Sequence, residues 1–174
     1  MAVSLYDLSV TNYLQILGAM EGFLGKGLAH FQENKTDPNS VVDERLCGDM
    51  LPFKFQVWAT AHHSHGAIRG VQEGVFGPPA SIPATIDYAG LQKAVTDARE
   101  ALQQLKPSDV DALQGKDVTF QLPSMKIPFT AEGFLLSFSL PNFYFHATTA
   151  YDILRHKGVP IGKRDFLGRM RIKS

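Results

Sequence analysis

Residues 130–157 form the longest apolar stretch of the chain, and they limit the possible folds more than any other segment. Their apolar residues recur at three- and four-residue spacing, which predicts one long helix. The opposite face is also largely apolar, and a helix of this kind is buried on both sides. Thr130 is a suitable N-cap, and Gly158 followed by Pro160 is a suitable end. Pro141 lies inside the pattern and predicts a kink, because proline lacks the N–H that the helix needs.

Two polar residues, Asn142 and His146, fall on the inner face of this predicted helix. They are four residues apart, so they lie one turn above each other. Burying such a group without a partner costs about 1–3 kcal/mol. Two interpretations follow: the pair is an internal hydrogen-bonded feature that fixes the register of the helix, or it contacts a ligand.

Three further periodic stretches predict three more long helices, and a Gly/Pro-rich connection, GVFGPPASIPAT, predicts a long crossover between the second and third. Apolar and polar residues then alternate over 117–129, which indicates a β-hairpin whose apolar face covers the helices. The sequence therefore predicts an all-α four-helix bundle with a long crossover and a small β-hairpin before the last helix. The length suits a single domain over residues 1–174. The three preceding helices are predicted over residues 10–34, 51–72 and 86–105.

Composition excludes several classes of protein. The formal net charge is zero, so there is no electrostatic basis for nucleic-acid binding. No apolar run without breakers is long enough to predict a membrane span, and the first residues do not resemble a secretory signal. The single cysteine, Cys47, excludes an internal disulfide, is expected to be buried and suits a reducing compartment. We therefore expect a cytoplasmic protein with neither a nucleic-acid nor a membrane partner.

Three strings of residues carry a family resemblance: SLYDLSV near the start, LPNFYFHATTAYDILRHKGV in the last helix, and GKRDFLG in the tail. With the predicted helix order, they resemble the DinB/YfiT-like superfamily, and within it a subfamily of unknown function. The resemblance covers essentially the whole chain. It implies a helical bundle, often dimeric, and many such bundles hold a divalent metal with three histidines. One of these histidines lies on the second helix, and the other two form an HxxxH motif on the last helix.

This sequence departs from that pattern at two of the three metal-ligand positions. His146 matches the second histidine of HxxxH, but Asn142 stands in place of the first, and Gln56 stands near the position of the second-helix histidine. Amides bind Zn²⁺ or Ni²⁺ poorly compared with imidazole. The resemblance therefore implies a degenerate metal site formed by Gln56, Asn142 and His146. No cofactor is expected beyond a weak or adventitious divalent ion.

Three functions are compatible with these residues, and whether the protein is an enzyme stays open. In the first, Gln56, Asn142 and His146 line a polar pocket for an unknown small molecule, with His146 as the candidate general base. In the second, the protein is a divalent-metal-dependent, thiol-dependent transferase or isomerase like its better-matched relatives. In the third, it is a non-catalytic interaction protein, a homodimer whose old pocket is filled by its own side chains.

Two further residues are candidates for the pocket. His63 lies seven residues after Gln56, about 10 Å along the helix, and is expected at the rim. Glu21 falls inside the apolar stripe of the first helix. It either lies at the edge of that stripe or enters the pocket from there. His62 and His65 share a helical face that we expect to be solvated, and no third metal ligand lies near them in sequence.

The tail combines apolar and basic residues. Phe166 and Leu167, within GKRDFLG, are predicted to dock over the mouth of the bundle or against a partner subunit. The basic residues around them predict a short solvated terminus rather than a binding arm. They are Lys163, Arg164, Arg169, Arg171 and Lys173.

Overall fold

Long helices form where the sequence shows three- and four-residue apolar periodicity. The computed structural model describes residues 3–79 and 81–173. The long helical segments are α2 (Val10–Glu33), α3 (Phe53–Ala61), α4 (Ala67–Glu73), α5 (Tyr88–Gln103) and α8 (Leu140–His156). The short ones are α1 (Leu5–Leu8), α6 (Pro107–Asp111), α7 (Ala131–Phe134) and α9 (Lys163–Leu167), with a 3₁₀ turn at Pro38–Val41.

Two of the long helices contain a π-helical segment. His62–Gly66 joins α3 to α4, and Leu135–Ser139 joins α7 to α8. The second segment ends at Ser139, two residues before Pro141. Proline has no backbone N–H, so the regular helical hydrogen bonding is interrupted there. There the N–H of Leu140 donates to the carbonyl of Leu135, five residues earlier. The helix on which a kink at Pro141 was predicted thus has a π segment that ends two residues before the proline.

Capping residues set several helix starts. Thr130 is the N-cap of α7, as predicted, and its hydroxyl accepts the N–H of Gly133. Asp87 caps α5 by accepting the N–H of Gly90. At the other end of the last helix, Gly158 has a left-handed backbone with φ of 84°.

The β component is a three-stranded sheet with the order β1-β2-β3. The predicted hairpin is present, since β2 (Asp117–Leu122) and β3 (Met125–Thr130) pair antiparallel from Asp117 opposite Thr130 to Leu122 opposite Met125. The additional strand, β1 (Val75–Phe76), pairs parallel to β2. β1 belongs to the connection that was predicted to cross the bundle. Ala80 of that connection lies outside the described residues. Two residues are too few to show a two-residue period, so periodicity could not predict β1.

One apolar core joins the helices and the sheet. Its largest fully buried side chains are aromatic and come from α2, α3, α5, α7 and α8: Tyr13, Phe23, Phe53, Tyr88, Phe134 and Phe143. The hairpin covers the core as expected, because Phe120 and Phe129 pack against Phe138, with ring centroids 4.7 and 5.9 Å away. The coarse prediction, a mostly helical fold with a small β element, is confirmed. Between residues 3 and 173, Ala80 aside, no helix has both the length and the hydropathy needed to cross a membrane.

The tail docks on its own chain. Phe166 packs edge-on against Tyr151 of α8, with centroids 5.7 Å apart, and the side-chain N–H of Gln15 donates to the Leu167 carbonyl at 2.9 Å. The tail thus lies along α2 and α8 of the same chain. Cys47 is exposed, so the expectation that it is buried was wrong: the residues around it form turns rather than a periodic element.

We predict that Gly27→Ala destabilises the protein by about 1–3 kcal/mol. A Cβ at Gly27 would lie 2.5 Å from the Tyr88 hydroxyl oxygen. That hydroxyl cannot move away freely, because it donates to the Leu24 carbonyl at 2.8 Å and its ring stacks on Phe53. Urea denaturation monitored by circular dichroism measures the change.

Gly22→Ala is the matched control on the same helix. A Cβ at Gly22 meets nothing within 4 Å. Alanine has the higher helix propensity, so this variant should gain up to about 1 kcal/mol. Equal effects of the two substitutions would contradict the close approach of α2 to Tyr88.

Candidate functional site

Gln56 of α3 and His146 of α8 form a direct contact in the interior. The Nδ1 atom of His146 lies 2.8 Å from the Oε1 atom of Gln56. The side-chain N–H of Gln56 donates to the Leu51 carbonyl at 2.8 Å, which directs Oε1 toward the imidazole. A carbonyl oxygen only accepts, so Nδ1 of His146 carries the proton and Nε2 keeps its lone pair.

His63 joins this pair from the π segment between α3 and α4. Its ring stacks on that of His146, with centroids 5.8 Å apart and planes 25° from parallel. Its Nδ1 atom is buried and has no hydrogen-bond partner within the part of the chain that the structure describes. The Gln56–His63–His146 cluster therefore contains an oriented imidazole and a buried ring nitrogen without a partner.

Aromatic rings surround the cluster. His63 packs against Phe76 and Phe138, at centroid distances of 5.3 and 5.8 Å, and Phe55 meets His146 edge-on at 5.7 Å. Because burial disfavours the charged form, it lowers the pKa of His146 to about 4. Burial, and then the neighbouring His62 and His146, lower the pKa of His63 to about 3. Both imidazoles are therefore neutral at pH 7.

Two predicted pocket residues take other partners. The side-chain N–H of Asn142 donates to the Phe138 carbonyl of its own helix at 2.7 Å. The Asn142 amide, one turn before His146, is therefore already hydrogen-bonded within that helix. Glu21 forms an ion pair with Arg99 of α5 at 2.9 Å. The structure thus brings together Gln56, His63 and His146, and leaves Asn142 and Glu21 outside that cluster.

The expectation that His62 and His65 lie on a solvated face was wrong for His62. Its ring stacks on Phe76 with centroids 4.5 Å apart, and its Nε2 donates to the Gly77 carbonyl at 2.8 Å. The connection after α4 folds back over this face, which the sequence of the helix by itself does not show. His65 is half-buried.

The donor set fits a divalent metal poorly. Gln56 Oε1 is already occupied by the His146 N–H, and the Asn142 amide donates within its own helix. Across residues 3–79 and 81–173, no three His, Cys, Asp or Glu side chains are grouped so that they could hold an ion.

Sequence reasoning missed the residues that hold His63 in place. Ser139, in the π segment before α8, donates its hydroxyl to the His63 carbonyl at 2.7 Å. The Tyr13 hydroxyl of α2 donates to Ser139 Oγ at 2.9 Å. Ser137 and Ser139 in an apolar run were the available signal. Serine also bonds its own helix, as Ser137 does to the Gly133 carbonyl, so the pattern does not reveal the long-range partner of Ser139.

The comparisons with known proteins agree with this fold. A crystal structure described as a DinB family member protein from Shewanella denitrificans is 26% identical in sequence, covers 98% of this chain and 95% of its own, and has a TM-score of 0.82. No curated protein matches the chain. The fold thus defines a DinB-like helical protein.

The particular family follows from the sequence. A family model described as "Domain of unknown function (DUF1993)" matches residues 5–167, and the chain belongs to that family. The resemblance to a DinB-like subfamily of unknown function is thereby confirmed. Because one fold serves many activities, neither relationship assigns a reaction.

We predict that acid weakens the fold through the cluster. The pKa values of His63 and His146 are lower in the folded protein than the ordinary value of 6.5. Below pH 6.5 the unfolded chain therefore takes up protons that the folded protein does not, and the free energy of unfolding falls as the pH drops. The slope is at most about 1.4 kcal/mol per pH unit for each histidine.

Urea denaturation between pH 7 and pH 5 measures this slope. His62 and His65 also have lowered pKa values and add to it with the same sign. His63→Leu should flatten the slope, whereas His156→Gln, at an exposed position on α8, serves as the control. An unchanged slope in His63→Leu would show that His63 is not kept neutral by the fold.

Proposed function

We propose that the protein binds a small neutral molecule at the Gln56–His63–His146 cluster. The observation that carries this proposal is the buried Nδ1 atom of His63, which lacks a partner beside an imidazole whose tautomer is fixed. An unsatisfied buried polar atom costs about 1–3 kcal/mol, and a ligand that bonds to it recovers that cost. Such atoms call for an explanation, and a binding site supplies one.

The chemistry of the cluster favours one class of ligand. The rings of Phe55, Phe76 and Phe138 contact the two imidazoles and suit a flat apolar group. The lone pair on His146 Nε2 accepts an O–H or N–H. No charged side chain belongs to the cluster, so the ligand is neutral; phenols, anilides and small amides have these properties.

Binding is favoured over proton transfer at this site. An imidazole whose pKa is about 4 attracts a proton weakly at pH 7, so His146 is a better hydrogen-bond acceptor than general base. The metal-dependent, thiol-dependent transferase or isomerase of the DinB-like type is the less favoured alternative, since only imidazole nitrogens remain as good ligands there.

We predict that His63→Leu abolishes ligand binding without lowering stability. The substitution removes the unsatisfied nitrogen and keeps a similar volume, so the free energy of unfolding should stay the same or rise. A library of phenols, anilides and small amides, screened by ligand-observed NMR against wild type, His63→Leu and His156→Gln, measures binding. Hits should bind wild type and His156→Gln alike and be lost in His63→Leu.

Two outcomes would contradict the proposal. One is that every hit binds wild type and His63→Leu equally, which would place the ligands elsewhere. The other is stoichiometric Zn²⁺ or Ni²⁺ binding to chelator-treated protein with a rise in melting temperature, lost in His146→Ala. That result would restore the metal-dependent alternative.

A second candidate function, a non-catalytic homodimer, is favoured by a different observation. Gln56, Asn142 and His146 each have a partner within the chain. In addition, a groove of about 470 Å³ lies beside α8 and is lined by five apolar residues and by Thr148, Thr149 and Asp152. Its apolar residues are Leu46, Met50, Pro141, Tyr144 and Phe145.

We predict that Phe145→Ser shifts a homodimer to the monomer. Phe145 is 56% exposed, so its replacement removes apolar surface available to a second copy and leaves the core intact. Sedimentation velocity of wild type and variant measures the oligomeric state. Met125→Ser, at an exposed position in the hairpin, is the control. A monomeric wild type at high concentration would exclude this candidate.

A further inference from the structure

The GKRDFLG string positions the basic tail on the outer side of α2. α9 is tied to α2 by the ion pair between Lys26 and Asp165 at 2.6 Å, in addition to the bond from Gln15 to Leu167. The chain then reaches Gly168, whose φ of 59° and ψ of −142° form a conformation that is essentially restricted to glycine. This turn directs the following residues along α2.

Gly168 is required for a second reason. A Cβ at this position would lie 3.0 Å from the Cβ atom of Ala19 and 3.3 Å from the Gln15 carbonyl oxygen. The backbone of the tail therefore touches the backbone of α2 directly. The turn therefore brings the exposed residues Arg169 and Arg171 to the surface of α2.

These two arginines meet a third one from the bundle. Arg99 of α5 lies across Gly18 of α2, where a Cβ would be 3.4 Å from its Nε atom. Arg99, Arg169 and Arg171 line a cleft of about 320 Å³ together with uncharged residues of α2. Those residues are Thr11, Leu14, Gln15 and Gly18.

The positive charge of the cleft is only partly neutralised. Arg99 is paired through Nη1 with Glu21, and its Nε–H is buried with no acceptor in the described residues. Arg171 donates to the neutral side chain of Asn12 at 2.9 Å. Arg169 has no ion pair or hydrogen bond within residues 3–79 and 81–173. Three guanidinium groups thus share one carboxylate, and no acidic side chain lines the cleft.

We infer that Arg99, Arg169 and Arg171 form a binding site for a phosphate group, carried by inorganic phosphate or a small phosphate monoester. Guanidinium groups match the geometry and the charge of phosphate oxygens. The volume accommodates a phosphate with a small organic group attached. The site is separate from the Gln56–His63–His146 cluster, and it gives the GKRDFLG string a role: the string builds the turn that brings two of the three arginines to the cleft.

Isothermal titration calorimetry with phenyl phosphate tests this inference. Arg169→Gln and Arg171→Gln should each weaken binding about ten-fold or more, the usual effect of losing a charge-assisted contact. Arg164→Gln removes the same charge from an exposed position of α9 that does not line the cleft, and it should bind as wild type does. The melting temperatures of Arg164→Gln and Arg169→Gln should be unchanged, because neither side chain contributes a docking contact of the tail. Arg171→Gln also removes the hydrogen bond from the tail to Asn12, so the comparison of Arg169→Gln with Arg164→Gln decides the test.

A second arm identifies the source of the phosphate. Vesicles of phosphatidylcholine with about one-fifth phosphatidic acid present the same group on a membrane surface. If wild type sediments with these vesicles and Arg169→Gln does not, the three arginines bind phosphate and the phosphate belongs to a lipid headgroup. Binding to neither probe, or equal losses in Arg164→Gln and Arg169→Gln, would overturn the inference.

Discussion

The fold of this protein depends on a buried hydrogen-bond relay that joins three helices. The Tyr13 hydroxyl donates to Ser139, and Ser139 donates to the backbone carbonyl of His63. Tyr13 and Ser139 are completely inaccessible to solvent, so neither water nor another residue replaces a lost partner. Ser139 and His63 each lie in a π-helical segment, where the regular backbone bonding is interrupted. The relay therefore satisfies polar groups at the two points where the helices are irregular.

The candidate site is a consequence of the same irregularity. A π segment changes the direction of the side chains after it, and His146 follows the one at Leu135–Ser139. His63 lies within the other π segment and its ring stacks on that of His146. Gln56, one turn into α3, holds His146 in the tautomer that leaves Nε2 free. The resemblance to metal-binding DinB-like proteins predicted where the polar residues lie. Their chemistry differs here, because the amide of Gln56 orients an imidazole, whereas the resemblance implies a metal-ligating histidine near this position.

The position of the basic residues in the tail is decided by packing and not by the GKRDFLG motif alone. As sequence, the basic residues after GKRDFLG looked like a solvated terminus. In the structure, the turn at Gly168 and the contacts of Phe166 and Leu167 place the tail against α2, next to Arg99. Glu21, an expected pocket residue, partly neutralises that arginine instead. An acidic residue in an apolar stripe was a sign of a specific partner, but the partner was an arginine on another helix.

Local properties of the chain gave the helices, the hairpin and the Thr130 cap, because periodicity and capping act over a few residues. They also singled out Gln56, His63 and His146 as polar residues on inward faces. Packing alone decided which of the candidates meet. Gln56 and His146 are 90 residues apart in sequence. Asn142 instead donates to the Phe138 carbonyl of its own helix. Contacts of this kind depend on how helices cross and where their bonding is irregular, which no single helix encodes.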